Sequence, residues 1–307
     1  MRSTFSMKMK TTYAILVLSA AFTITCRADM GSIPFKAGVR IMEPNQDAII
    51  AWNGKEQLLY LQTTLAASEA TKVLEVMPLP SRPTVEEADV EVFKRCQSLV
   101  PRVVVRDSGA EPFGGPGVPP AARVVERKMI EAHDIRVVEL LDAERFSAWV
   151  TAEFGVDHEG LEIPAPLLAV IDEYVKDGYK WFLFDVIDVE KEFAKKTPLR
   201  IHFETDMLYY PMRITRTEVG HTTVSLSVIT NVLFNREDCV GIPRESIRVP
   251  ARPVEISGAE LNWIDPPLFE LLGRPQAVHL RTWEISGEID SFDKDLLIRN
   301  PAATKED

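Results

Sequence analysis

Residues able to do chemistry are few and scattered in this chain. Its five histidines are His133, His158, His202, His221 and His279, and none lies four residues from another, as a helical metal pair would. The sharpest constellation is Arg200, His202 and Glu204. Strand alternation sets all three on one face, and His279 with Arg281 forms a second row of the same kind. Placed side by side, the two rows would line a pocket for an anionic or hydroxyl-rich ligand, gripped by guanidinium groups. Apart, each is an ordinary wet sheet face with cross-strand charge pairs. Asp157, His158 and Glu159 form the densest polar cluster. Their donor types suit a cation, but a loop between helices also carries such residues simply to stay solvated. His133-Asp134 sits near a hairpin turn, and its types would suit a base or a cap.

The sequence has no G-x-S-x-G and no H-E-x-x-H, so the commonest serine-hydrolase and zincin patterns are missing. It has no Walker loop and no dinucleotide fingerprint. The GGPG within Arg106 to Ala121 is ringed by prolines and opens no helix, so it is no phosphate cradle; the stretch reads as a mobile surface loop or linker, with a binding lid as the sharper alternative. No N-x-[ST] sequon occurs. Cofactors are therefore unassigned. Outside the leader the thiols are Cys96 and Cys239. They would pair in an oxidising compartment, or, as Cys96 on an apolar helix face suggests, be small buried hydrophobes. There is no C-x-x-C.

The elements that must position these residues begin at Asp47. Ala48 to Trp52 is apolar throughout, Asn53-Gly54 reads as a hairpin turn, and Leu58 to Leu61 returns. Val73 to Met77 reads as a third strand, ended by Pro78 and Pro80. Unbroken apolar runs belong to strands covered on both faces. Thr84 to Glu87 has capping-box spacing before a helix striped by Val92, Phe93, Cys96, Leu99 and Val100. Val124 to Ile130 and Ile135 to Leu141 read as paired strands. Phe146, Trp149, Val150 and Phe154 stripe a second helix, and Leu167, Val170, Ile171, Tyr174 and Val175 a third. From Thr197 the period shifts to two. The fold class is α+β: a mixed or mainly antiparallel sheet around an N-terminal hairpin, about three packed helices in the first two-thirds, and a β-rich C-terminal third. Residues 29–292 read as one domain, with a candidate β-rich subdomain over 197–292 and a polar tail over 293–307.

The leader has Arg2, Lys8, Lys10 and Arg27, no acids, and an apolar stretch of about a dozen residues before Ala28. This describes a secretory signal cleaved after Ala28, with Met1 or Met7 as the start. The alternatives are an uncleaved anchor and a lipid anchor on Cys26. Removing the four cations takes the formal charge from −11 to −15. So acidic a body is a poor partner for nucleic acid. No later run is long and uncharged enough to span a bilayer.

Several segments resemble a family of secreted bacterial proteins catalogued as domain of unknown function 2330. They are Gln46 with Ala48 to Trp52, Met77 to Val85 with Phe93, His133 to Val150, Asp177-Gly178-Tyr179 before WFLF, and Pro198 to Ile214. The resemblance implies a secreted globular domain and supplies no catalytic residues. Residues and resemblance together give an exported soluble binding or interaction module of the cell envelope, secreted or periplasmic. The alternative is a hydrolase or metal-assisted enzyme using His202 with Glu204, or the loop over Asp157 to Glu159. The partner is unassigned.

Overall fold

The computed structural model describes residues 31–100, 123–130, 133–140, 146–154, 163–217 and 220–299. The leader, the Pro/Gly-rich loop and the cluster Asp157, His158 and Glu159 lie outside these residues. The strands are β1 (Gly31–Pro34), β2 (Ile41–Trp52), β3 (Glu56–Ala67), β4 (Thr71–Leu79), β5 (Thr84–Glu87), β6 (Arg123–Ile130), β7 (His133–Glu139), β8 (Trp181–Val189) and β9 (Ala194–Lys195). Then come β10 (Leu199–Glu204), β11 (Met207–Tyr210), β12 (His221–Thr230), β13 (Cys239–Val240), β14 (Ile247–Arg248), β15 (Val254–Ser257), β16 (Ala277–Glu288) and β17 (Leu296–Arg299). The helices are α1 (Glu91–Leu99), α2 (Phe146–Phe154), α3 (Ala165–Lys176), α4 (Gly258–Ile264) and α5 (Pro266–Leu271).

These elements stack in four layers. A five-stranded sheet in the order β1-β4-β8-β7-β6 faces a nine-stranded sheet whose main path is β14-β16-β12-β2-β3-β10-β5. Between them lie Ala48, Ile50, Trp52, Leu59 and Leu61 from one sheet and Met77, Leu79, Val137 and Leu183 from the other. The outer face of the five-stranded sheet presents Leu74, Val76, Phe182 and Phe184 to α2 and α3. The outer face of the nine-stranded sheet presents Ile49, Ala51, Leu58 and Tyr60 to α1, α4 and α5. This explains the unbroken apolar runs, since odd and even residues are both covered. Each large apolar side chain so buried contributes about 1.5–3 kcal/mol. A small third sheet, β11-β17-β13, closes one end.

The hairpin forms as the sequence predicts, with Trp52 opposite Gln57, but its turn differs. Only Gly54 has a positive φ, 99°. Asn53 instead turns its Oδ1 to accept the N–H groups of Lys55 and Glu56 at 2.9 and 2.8 Å. A side chain that caps the turn removes the need for φ > 0 at Asn53.

Other expectations are corrected. The strand after the hairpin joins the opposite sheet, and it pairs through Leu79 rather than stopping at Pro78. On its other side the pairing with β1 among the described residues reaches only Val76, opposite Gly31, so no described strand lies beside the missing N–H of Pro78. Thr84 to Glu87 is no helix cap but strand β5, with Val85 buried and Thr84 and Glu86 exposed beside β10. There are five helices among the described residues, two of them in the C-terminal third. The strands after Thr197 do not form a unit of their own, since β10, β12 and β16 share a sheet with β2 and β3. The tail reading fails for 293–299: β17 pairs with β11 and β13, and Asp295 is buried. Cys96 and Cys239 are free thiols in separate cores, so they do not pair. Burial pushes each thiol up to about 12.

Candidate functional site

The two polar rows do not meet. Along β10, Leu199, Ile201 and Phe203 point between the sheets, so Arg200, His202 and Glu204 point outward toward the α1, α4 and α5 layer. Along β16, Val278 and Leu280 join that outer core and Trp283 and Ile285 the inner one. His279 and Arg281 therefore lie on the opposite face. Strands β3, β2 and β12 also intervene, a separation of about 19 Å at ~4.8 Å per strand. The shared pocket does not exist.

Arg200 is a structural clamp. Its guanidinium donates to Asp265 Oδ2 at 3.1 Å and pairs with Glu86. The Tyr60 hydroxyl donates to the same Asp265 oxygen at 2.7 Å. Burial, then the Asp265 charge, hold that hydroxyl well above the ordinary tyrosine range. Asp265 also holds the N-cap position of α5, but its side chain is turned to Tyr60 and Arg200 and makes no capping hydrogen bond; the first two residues of α5 are Pro266 and Pro267, which lack N–H groups to cap. His202 Nε2 lies 3.3 Å from Glu56 Oε1, an exposed cross-strand pair. Glu204 is exposed, and its backbone N–H donates to Ser81 Oγ at 2.8 Å.

Arg281 belongs to a different arrangement. One side of β16 pairs continuously with β12, from His279 to Glu288. On its other side β14 ends at the pair Arg248–Glu284 and β15 begins at Val254–Leu280. Arg281, Thr282 and Trp283 lie in the gap. Pro250 and Pro253 lie in the connecting segment, and proline lacks the N–H a continuous ladder needs. A groove of about 620 Å³ opens there, lined by Arg236, Glu237, Glu245, Ile247, Arg248, Val249 and Arg281.

Each guanidinium in the groove is braced at one side. Arg281 Nη1 donates to Asn235 Oδ1 at 2.8 Å. Arg236 Nε lies 3.1 Å from Glu237 Oε1, and the hydrogen bond from Arg236 holds that carboxyl below its usual range. Arg248 Nη2 lies 3.0 Å from Glu284 Oε2. Asn235 is itself fixed by a capping box: its N–H donates to Asp238 Oδ2 at 2.6 Å. Arg281 Nε, Thr282 Oγ1 and Trp283 Nε1 are buried without a hydrogen-bond partner among the described residues. The groove thus offers three cationic forks, two acidic acceptors and a patch of Ile247 and Val249. A volume of this size accommodates a small organic ligand. No cluster of three or more metal-type ligands occurs among the described residues.

The family model described as "Uncharacterized protein conserved in bacteria (DUF2330)" matches residues 25–277. The chain belongs to this family. The match extends beyond the resembling segments, through β15, α4 and α5 to the start of β16. No curated protein matches this DUF2330 chain. Among solved structures it is similar to a mutated baculovirus P35 after caspase cleavage. That likeness has 10% identity and a TM-score of 0.37, and covers 83% of this chain and 93% of that one.

Sequence reasoning placed Arg281 among the site residues but missed Arg236, Arg248, Glu237 and Glu245. The Pro250-x-x-Pro253 spacing, read as a break in an edge strand, was the signal available for them.

Proposed function

We propose that this DUF2330 chain is an exported, non-catalytic binding module of the cell envelope, and that its ligand is anionic and hydroxyl-rich. The observation that carries the reading is the convergence of Arg236, Arg248 and Arg281 on a three-residue break in the edge of the nine-stranded sheet. Guanidinium forks suit carboxylate oxygens, and Glu237 and Glu245 suit hydroxyl donors. The cationic, then apolar, leader supports export. No helix among the described residues is long and apolar enough to cross a membrane.

The test is calorimetric titration of the mature chain with a galacturonic-acid trisaccharide and with its neutral galactose counterpart. The acidic sugar is expected to bind and the neutral one to bind at least tenfold more weakly. Arg281→Ala should weaken the acidic sugar by about 10- to 100-fold, the range of a charge-assisted hydrogen bond. Equal binding by wild type and Arg281→Ala, or no binding of the acidic sugar, sinks the groove. The mass of the mature chain is expected to place its first residue at Asp29.

A further inference from the structure

A second polar assembly lies between the two sheets, far from the requirements of the groove. Glu75 on β4 and Asp185 on β8 are directly opposed across the ladder, and each is 2% exposed. Directly opposed carboxylates on one face have Cβ atoms about 5 Å apart, and two buried negative charges at that range repel strongly. Next along the face, His133 Nδ1 lies 2.5 Å from Asp185 Oδ2, and His133 Nε2 lies 3.0 Å from the Thr197 carbonyl. Both imidazole nitrogens thus face oxygen acceptors, the arrangement of a doubly protonated ring if Asp185 is ionised. Glu75 Oε1 and Asp185 Oδ1 are buried without a partner among the described residues. They help line a small cavity with Thr63, His133 and Thr197.

The groups that face this row from every packed element can be named. Glu43 comes from β2 of the opposite sheet, where its Oε1 accepts from Gln46 Nε2 at 3.3 Å. Lys196, which donates to the Asp188 carbonyl, comes from the segment between β9 and β10. β3 contributes the uncharged Thr63, and β1 the uncharged Ser32, opposite Glu75. With every group ionised, the three carboxylates of the row, Glu43, Glu75 and Asp185, face His133 and Lys196, and Lys196 is shared with Asp188 and Glu190 outside the row. One proton on Glu75 relieves this excess of negative charge.

We propose that this row is a proton-loaded clasp between the two sheets, closed while Glu75 and His133 hold their protons and loosened when they lose them. Burial, then the Glu43 and Asp185 charges, hold Glu75 well above the usual carboxylate range. Burial pulls His133 down, but Asp185 and the Thr197 carbonyl outweigh it and its net shift is upward. An acid and a base with raised folded values have the same sign. Their contribution is full at low pH and is lost as pH rises through the folded values. Lys196, lowered by burial, runs the other way and offsets part of the loss.

Thermal unfolding of the mature wild type and of Glu75→Gln between pH 6 and pH 9 tests the clasp. Glutamine keeps the shape of the protonated acid and cannot ionise. The wild type is expected to lose at least about 3 °C over this span, and Glu75→Gln less than half as much. Parallel curves for the two proteins overturn the proposal. If Glu75→Gln does not fold, amide exchange in wild-type β4 and β8, corrected for intrinsic rates, decides: lower protection at pH 9 supports the clasp, and equal protection overturns it.

Discussion

Asp295 and Glu75 are carboxylates of similar burial with opposite surroundings. Asp295 Oδ1 accepts from the Tyr174 hydroxyl at 2.6 Å and from the backbone N–H groups of Met212 and Arg213 at 3.0 and 2.9 Å. Burial raises its pKa, and the Tyr174 and backbone donors, with the Arg213 charge, pull it only part of the way back, so it stays above the usual carboxylate value. Glu75 meets Asp185 across the ladder and Glu43 from the facing sheet, and its Oε1 finds no donor among the described residues. The difference teaches that burial alone does not decide how a carboxylate behaves. The number of donors aimed at it does. Asp295 ties β17 to α3 and to the turn after β11; Glu75 stores a proton.

The largest expected effect breaks the donor-rich side. Asp295→Ala leaves Tyr174 and two backbone N–H groups buried and unpaired, and should cost about 3 kcal/mol in urea unfolding at pH 7. A loss under about 1 kcal/mol would show that water replaces the acceptor. Asp265 is the intermediate case, holding one hydroxyl and one guanidinium at partial exposure. Arg200→Ala removes the guanidinium but leaves the Tyr60 hydroxyl in place, so a loss of about 1.5 kcal/mol is expected by the same measurement. The smallest effect is on the donor-starved side. Glu75→Met at pH 6 exchanges a lone protonated acid for an apolar chain of similar volume, and the urea midpoint should move by no more than about 0.5 kcal/mol of stability. A large loss there would show that Glu75 holds a partner as firmly as Asp295 does.

Much of the fold was legible because it depends on local pattern. The apolar run Ala48 to Trp52 predicts coverage on both faces, and both faces are covered. The stripes of α1, α2 and α3 follow from spacing near 3.6 residues, and their buried positions agree. What was missed depends on partners distant in sequence. Thr84 to Glu87 has the letters of a helix cap, but pairing with β10 overrides them. A capping box of that same form does occur at Ser257 with Glu260, where Ser257 N donates to Glu260 Oε2 at 2.7 Å. Period-two alternation correctly grouped Arg200 with His202 and His279 with Arg281. It carries no record of strand order, so it could not show that the two pairs lie on opposite faces with three strands between them. Glu75 was read only as part of an apolar strand, and its facing carboxylate on β8 lies 110 residues away.

The pairing of β2 with β12 is the one parallel pairing among the described residues, joining Gln46 to Trp52 with Val224 to Thr230. The hairpin is made early in synthesis, whereas its central neighbour emerges about 170 residues later, roughly ten seconds or more at ordinary rates of elongation. Through that interval an apolar strand edge stands bare. A growing chain therefore holds this apolar edge unpaired until distant residues arrive, and that wait sets a limit on how fast the sheet can close.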